Sequence, residues 1–78
     1  MFIPENTKFE SVKTIAGNGG EKPIGDIKRL VDTYGGTESD WKKQAGKINS
    51  DKYVFDIHWY ELDSVQYEAK LKNRSTRR

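Results

Sequence analysis

Apolar and polar residues alternate most regularly in the segment YVFDIHWYELDSVQYEAKL, residues 53–71. Successive side chains of a β-strand point to opposite faces, so this pattern predicts two strands that are joined near LDS, residues 62–64. The apolar face of the first strand consists of Tyr53, Phe55, Ile57 and Trp59. The other face contains His58, the single histidine of the chain, so the two strands together predict a β-hairpin with one apolar and one polar face.

The register of this hairpin decides which residue lies beside His58. A three-residue loop at 62–64 sets Trp59 opposite Tyr67 and His58 opposite Glu68, and it keeps the apolar side chains of both strands on one face. A two-residue loop would set Trp59 opposite Glu68 and would mix the two faces. The alternation therefore favours the three-residue loop, with a helix covering the apolar face and His58 on the uncovered one.

The remaining sequence predicts shorter elements that are separated by glycine. Residues 8–17 alternate loosely and contain β-branched side chains, which predicts a strand that ends at GNGG, residues 17–20. PIGDIKRLVDTYGG, residues 23–36, spaces its apolar residues by three and four and predicts a helix. TESDWKKQAG, residues 37–46, predicts either a short second helix that ends at Gly46 or only a turn, and a brief strand at KIN follows it.

These elements predict an α+β fold in which one or two N-terminal helices pack on a small antiparallel sheet of about four strands. At 78 residues the chain is expected to be a single domain with a small core, since a chain of this length buries only about 60% of its unfolded surface. Residues 1–6 and 73–78 are expected to be flexible. The tail KLKNRSTRR is basic, which is typical either of a frayed terminus or of an arm that contacts phosphate.

The composition excludes several kinds of site but does not identify the function. The chain has no cysteine, which excludes disulfides and zinc sites built on thiolates, and its one histidine leaves no ligand spacing for a transition metal. The net charge of +2 and the pI near 8.9 are mildly basic. No apolar run approaches the ~20 residues that a membrane-spanning helix needs, and MFIPENTKF lacks the pattern of a signal peptide. We therefore expect a compact globular domain without a metal or cofactor.

The polar face of the hairpin gathers groups that can move a proton at a phosphodiester. His58 opposite Glu68 would form a general acid/base unit, in which the carboxylate raises the histidine pKa toward neutrality. Lys70 would stabilise developing negative charge, and Tyr60 would position the substrate or share the proton transfer. Thr14, near the glycine segment, is a further candidate. A solvated sheet face with cross-strand charge pairs has the same pattern and needs no catalytic role.

Metal-independent cleavage of RNA requires only an acid/base group and cations for the phosphate from the protein, because the 2′-hydroxyl of the substrate is itself the nucleophile. The candidate substrate-binding residues are Lys13, Lys28, Arg29, Trp41 and Lys42. The basic side chains would hold phosphate, and a tryptophan would stack on a base of single-stranded RNA. Trp41 and Trp59 are also typical of buried core residues. GNGG is typical either of a flexible link or of an anion site ahead of a helix.

Four blocks of the sequence resemble a known class of domains. TIAGNG, IKRLVDTYGG with DWKK, DIHWYE and YEAKLK are together similar to a C-terminal toxin domain of bacterial polymorphic toxins, and the similarity spans residues 7–72. These toxins include effectors of contact-dependent growth inhibition, and similar segments occur at the ends of phage head-morphogenesis proteins. HWYE and LVDTYGG are the most specific blocks.

The resemblance implies a ribonuclease toxin that cleaves tRNA, with a histidine as the acid/base group, which would be His58. It implies a sheet-based fold similar to the barnase, EndoU, colicin and RelE group, with helices before the antiparallel sheet. It also implies delivery from the producing bacterium into the cytoplasm of a target cell, and a cognate immunity protein that blocks the toxin. Some similar toxins need a translation factor of the target cell, such as elongation factor Tu.

Two other functions stay open at this point. A non-catalytic module that binds RNA or protein, such as a docking domain in phage assembly, would need no catalytic histidine. A DNase toxin is disfavoured, because DNA lacks the 2′-hydroxyl and most DNases need a metal, for which the sequence shows no ligand spacing.

Overall fold

One antiparallel sheet with its four strands in chain order, and one short helix, make up the fold in the computed structural model of the chain, which describes residues 8–76. The strands are β1 (Ser11–Gly17), β2 (Lys42–Asn49), β3 (Tyr53–Leu62) and β4 (Val65–Thr76). Helix α1 (Ile27–Tyr34) and a 3₁₀ turn (Glu38–Asp40) lie between β1 and β2 in the chain. Strands β2 and β3 are central, and β1 and β4 form the two edges.

The predicted fold class is wrong, because α1 follows β1 instead of preceding the sheet and the predicted second helix does not form among the described residues. Residues 42–46 of that segment belong to β2, which pairs with β1 on one side and β3 on the other. Local propensity is weak over so short a segment, so pairing on both sides decides its conformation. Gly46, predicted to end a helix, lies inside β2, where the rings of Phe9 and Trp59 occupy the space that a Cβ would need.

Helix α1 is shorter than predicted and begins at Ile27. Pro23 and Ile24 precede it, although Ile24 is buried in the core. The helix ends where Gly35 adopts a φ of 97°, a conformation that favours glycine. Eight residues are too few for a helix that is stable alone, so α1 depends on the burial of Leu30 against the sheet. In the described part of the chain, no helix is long and apolar enough to cross a membrane.

The core is divided between the two faces of the sheet. Helix α1 covers one cluster, whose buried members are Ala16, Ile24, Leu30, Trp41 and Leu62. The buried members of the second cluster are Ile57, Trp59 and Ala69, against which Phe9 and Ile48 pack. Each face therefore carries a small apolar cluster, and neither face holds the whole core.

His58 lies on the face that carries α1, which corrects the predicted arrangement. Tyr60, two residues further along β3, packs against the α1 cluster and donates a hydrogen bond to Asp26 at the start of the helix. Side chains two residues apart in a strand share a face, so His58 lies on the same side as the helix. The prediction that the helix covers the apolar residues around Trp59 is wrong, because Phe9 packs against them instead.

The turn between β3 and β4 has two residues instead of the predicted three. Leu62 pairs with Val65, and both Asp63 (φ 49°) and Ser64 (φ 66°) are left-handed. Turns of this kind match the right-handed twist of paired strands. Their usual signal is Asn-Gly or Asp-Gly, so the Asp-Ser pair did not indicate one.

A β-bulge in β4 restores the alternation that a two-residue turn would otherwise break. Opposite Trp59, the two residues Glu68 and Ala69 take the place of one, and Glu68 has a φ of 54°. Beyond the bulge His58 pairs with Lys70. The predicted pairing of His58 with Glu68 is therefore wrong, because the alternation pattern contains no signal of the extra residue.

A second irregularity lies further along the same two strands. Ile57 pairs with Leu71, whereas Asp56 pairs with Asn73, so Lys72 is the extra residue. The register therefore shifts by one residue at each of the two positions. A single alternating pattern cannot describe the whole of β4.

The described part of the basic tail, residues 70–76, belongs to β4 and is not a frayed segment. Residues 73–76, expected to be flexible, pair with the first part of β3. The guanidinium of Arg74 lies 4.8 Å from the ring centroid of Tyr53. The expectation of flexibility for residues 1–6 and 77–78 falls outside the described residues.

Candidate active site

A groove with a volume of about 320 Å³ crosses the sheet on the face that carries His58. Its lining residues are Ser11, Lys13, Ile15, Ala45, Gly46, Lys47, Asp56 and His58. Cross-strand pairing sets Lys13, Ala45 and His58 in one row over β1, β2 and β3. The small side chain of Ala45 leaves a depression in the middle of this row. Lys13 lies on one side of the depression and His58 on the other.

The imidazole of His58 is half-buried in this groove. Its Nδ1 atom is buried and has no hydrogen-bond partner among residues 8–76. A ligand in the groove can therefore exchange a proton with this ring only at Nε2. Burial lowers the pKa of His58 below its usual value of 6.5, and the charges of Lys43 and Lys72 lower it further. These effects favour the neutral imidazole, and the prediction of a raised pKa is wrong.

Three lysines near His58 carry positive charge. Lys43, Lys72 and Lys70 each lower the pKa of His58, and Lys43 has the largest effect of the three. The pKa of Lys43 is itself lowered, first by burial and then by Lys72 and Lys70. The ion pairs formed among residues 8–76 involve none of these three lysines. The surface beside His58 is therefore positive, which favours a bound phosphate.

Asp56 is the acidic residue of the groove. It lies on β3 two residues before His58 and shares a row of the sheet with Ser11 and Lys47. Its charge raises the pKa of His58, but burial and the lysines outweigh it. In the portion of the chain covered by the structure, no three side chains of histidine, aspartate or glutamate come together as metal ligands.

Glu68, the predicted partner of His58, is bound to helix α1 instead. Its carboxylate accepts two hydrogen bonds of 2.8 Å from the Arg29 guanidinium and one of 2.8 Å from Tyr34 Oη. The hydrogen bonds from Arg29, followed by that from Tyr34, lower the pKa of Glu68 to about 2. Glu68 is therefore a charged anchor between β4 and α1. Arg29, predicted to bind substrate, is occupied by this contact.

Tyr60 remains close to the groove but has a structural partner. Its Oη donates to Asp26 Oδ2 at 3.3 Å. Burial, and then Asp26, raises the pKa of Tyr60, so its hydroxyl stays protonated. The ammonium of Lys43 lies 5.6 Å from the centroid of the Tyr60 ring. Tyr60 thus helps to place Lys43 near His58.

Thr14 lies on the opposite face of the sheet. Its Oγ1 donates to Oε1 of Gln44, a buried residue that pairs with Trp59. Cross-strand partners share a face, so Thr14 is directed away from His58. The structure does not bring Thr14 into the candidate site.

Trp41 is a core residue and offers no surface on which a base could stack. Its side chain is 0% exposed, and its Nε1 donates to the carbonyl oxygen of Gly35 at 3.0 Å. Its ring centroid lies 5.3 Å from that of Tyr67. The interpretation of Trp41 and Trp59 as core residues is confirmed, since both are buried.

The three predicted substrate-binding lysines lie in different places. Lys13 lines the groove that contains His58. Lys42 forms an ion pair of 3.3 Å with Glu61, and Lys28 is exposed on α1 outside the groove. Of these three, Lys13 is the one that the fold brings to the candidate site.

Sequence reasoning missed Lys43, Lys72 and Ala45. Lys43, Ala45 and Lys47 are spaced by two, as in a strand. This spacing carried no weight because the segment was assigned to a helix. The position of Lys72 depends on the two shifts of register in β4, for which the sequence has no pattern.

The GNGG segment forms a tight turn in which three of the four backbone N–H donors are in use. The N–H groups of Gly17, Asn18 and Gly20 donate to backbone carbonyl oxygens. The cavity beside it, about 480 Å³ in volume, is lined by two glutamates as well as by Lys22. Occupied donors and nearby acids disfavour phosphate, so this larger cavity is a weaker anion site than the groove at His58.

Comparisons of the chain with protein-family profiles, curated proteins and solved structures find no match. The resemblance to toxin domains therefore stands on the short sequence blocks alone.

Proposed function

We propose that this domain is a metal-independent ribonuclease that cleaves RNA in the groove at His58. One observation carries the proposal: an imidazole with a single accessible nitrogen lies in a groove beside lysines without ion-pair partners among the described residues. The lysines attract the phosphate backbone, and the imidazole supplies a base. RNA supplies the nucleophile.

The reaction consists of one displacement at phosphorus. Nε2 of His58 takes the proton of the 2′-hydroxyl, and the freed oxygen attacks the adjacent phosphorus. The bond from phosphorus to the 5′-oxygen breaks, and that oxygen takes a proton from a lysine ammonium or from water. The products are a 2′,3′-cyclic phosphate and a 5′-hydroxyl, and the proton on His58 returns to solvent.

The lysines have two roles in this reaction. Their charges stabilise the negative charge that develops on the phosphorus oxygens. Lys43 is the best placed to act as the acid, because its lowered pKa makes its ammonium a stronger proton donor. Lys13, across Ala45 from His58, would hold the next phosphate of the strand.

The biological setting of the proposal rests on the toxin resemblance alone. In that setting the substrate is tRNA of a competing bacterium, and a cognate immunity protein protects the producer. Elongation factor Tu of the target cell would be a helper in presenting the tRNA.

An RNA-binding module without turnover is the second candidate, and the position of Glu68 favours it. The carboxylate expected to assist His58 is held by Arg29 and Tyr34, so it is not a partner for the imidazole. The positive groove would then bind single-stranded RNA through its phosphates.

Cleavage by the purified chain separates the two candidates. We expect tRNA to be cut in the presence of EDTA, to leave 2′,3′-cyclic phosphate ends, and to resist cutting when the 2′-hydroxyl at the cut site is replaced by hydrogen. His58→Gln should abolish cutting while the circular dichroism spectrum is kept. Lys28→Met, an exposed lysine outside the groove, is the matched control and should cut normally. Salt-dependent binding without cutting would overturn the ribonuclease proposal, and full activity of His58→Gln would remove His58 from it.

A further inference from the structure

The bulge at Glu68 decides which residues of β4 lie beside His58. The two-residue turn alone would continue with Ala69 opposite His58 and Lys70 opposite Ile57. The extra residue at the bulge moves Lys70 to His58 and Ala69 into the cluster with Trp59. The positive charge next to the imidazole thus depends on the bulge.

Glu68 holds a backbone conformation that its residue type disfavours. Its φ of 54° is in the left-handed region, where a side chain with a Cβ clashes with its own backbone. Glycine, asparagine or aspartate is the usual residue at such a position. Some contact of the glutamate side chain must therefore offset the cost.

That contact is the anchor to helix α1. Three hydrogen bonds of 2.8 Å join the Glu68 carboxylate to Arg29 and Tyr34. Arg29 is held in turn by Asp26, at 3.4 Å. The helix thus fixes the bulge from outside the sheet.

We propose that Glu68 is a positioning residue, which with Arg29 and Tyr34 fixes the register of β4 and so keeps Lys70 beside His58. Its role in catalysis rests on the proposed function, whereas its role in the register does not. Ala69 contributes to the same register by packing against Trp59, and the anchor adds a directional constraint that apolar packing lacks.

The register can be measured without RNA. In Glu68→Ala, and separately in the double variant Arg29→Met with Tyr34→Phe, nuclear Overhauser contacts should show Lys70 leaving His58. The pKa of His58 should rise toward 6.5 in both, because Lys70 and Lys72 help to lower it. Tyr34→Phe alone removes one of the three hydrogen bonds and is the milder variant if the others fail to fold. Asp32→Asn, which changes an exposed acid of α1 that takes no part in the anchor, is the control and should leave the register unchanged.

Activity supplies the second readout. On the proposed reaction, loss of the anchor should lower kcat by on the order of 100-fold, as misplacement of a charged group by about 1 Å does. Folded Glu68 variants that keep the His58–Lys70 contacts and the His58 pKa would overturn the proposal. A chain that shows the expected register change but never cleaves RNA would overturn the ribonuclease function and leave the register role standing.

Discussion

His58 on β3 lies directly opposite Lys70 on β4, so an imidazole and an ammonium share one row of the sheet. Burial is the main cause of the lowered His58 pKa, and the charge of Lys70 acts in the same direction. In this pair His58 is suited to act as a base and Lys70 to bind a phosphate. The same arrangement disfavours a permanently protonated histidine.

The pH dependence of RNA cleavage should follow the neutral form of His58. The pKa of His58 lies below 6.5. kcat/KM should therefore rise as pH increases through the pKa of His58, and it should be level by neutral pH. A rate profile from about pH 4 to 8, compared with a nuclear magnetic resonance titration of the single histidine, checks this. A rate that falls over this range would mean that the protonated imidazole is the active form.

Removing a lysine whose charge acts on His58 should weaken RNA binding and change its dependence on salt. We expect Lys43→Met and Lys70→Met each to reduce the slope of log affinity against log salt by about 0.7, the value for one phosphate contact with a single strand. Each should also raise the pKa of His58. Lys28→Met is the matched control, and an equal loss of affinity in it would mean that the groove is not the binding surface.

The anchor at Glu68 should make stability depend on pH in the acid range. The pKa of Glu68 is about 2 in the folded chain against an ordinary 4.5, so its stabilisation is complete above 4.5 and is lost as pH falls toward 2. The difference in unfolding free energy between the unchanged chain and Glu68→Gln should shrink over that window. The effect should be small, because both side chains of the pair are partly exposed and screened by solvent. A difference that stays constant from pH 6 to about pH 2 would show that the ion pair does not stabilise the fold.

Trp41 should matter for stability and not for RNA binding. Trp41→Ala should lower the free energy of unfolding by about 3–5 kcal/mol, because it empties the centre of the cluster under α1. Trp41→Phe keeps most of the apolar volume, so it should lower the free energy of unfolding by less. Part of that smaller loss comes from the missing hydrogen bond to Gly35. Denaturant titration measures both. A loss of RNA affinity in folded Trp41→Phe would restore the base-stacking interpretation.

The alternation of side chains predicted β3 and β4 and marked His58, since a period of two is a direct consequence of strand geometry. It could not predict the register between them. The turn at Asp63 and Ser64 and the bulge at Glu68 depend on left-handed backbone conformations that lack the usual glycine. Each shifts the pairing by one residue, and the partner of His58 changes with it.

The segment of β2 was mispredicted for a different reason. Residues 42–46 have no strong preference of their own, and pairing with β1 and β3 makes them a strand. Lys43 and Ala45 join the site through that pairing, so their roles could not be seen from the segment alone. The helix itself was predictable from its spacing, but its place on the His58 face was not.

Phe9 closes the underside of the sheet, with its ring centroid 4.9 Å from that of Trp59 and its edge in the space left by Gly46. The residue lies ahead of β1 and outside every regular element. A shortened version of this chain that started at Ser11 would leave the indole of Trp59 open to water, and copies would then stick to one another through it. Trimming at the amino end therefore has to stop before Phe9.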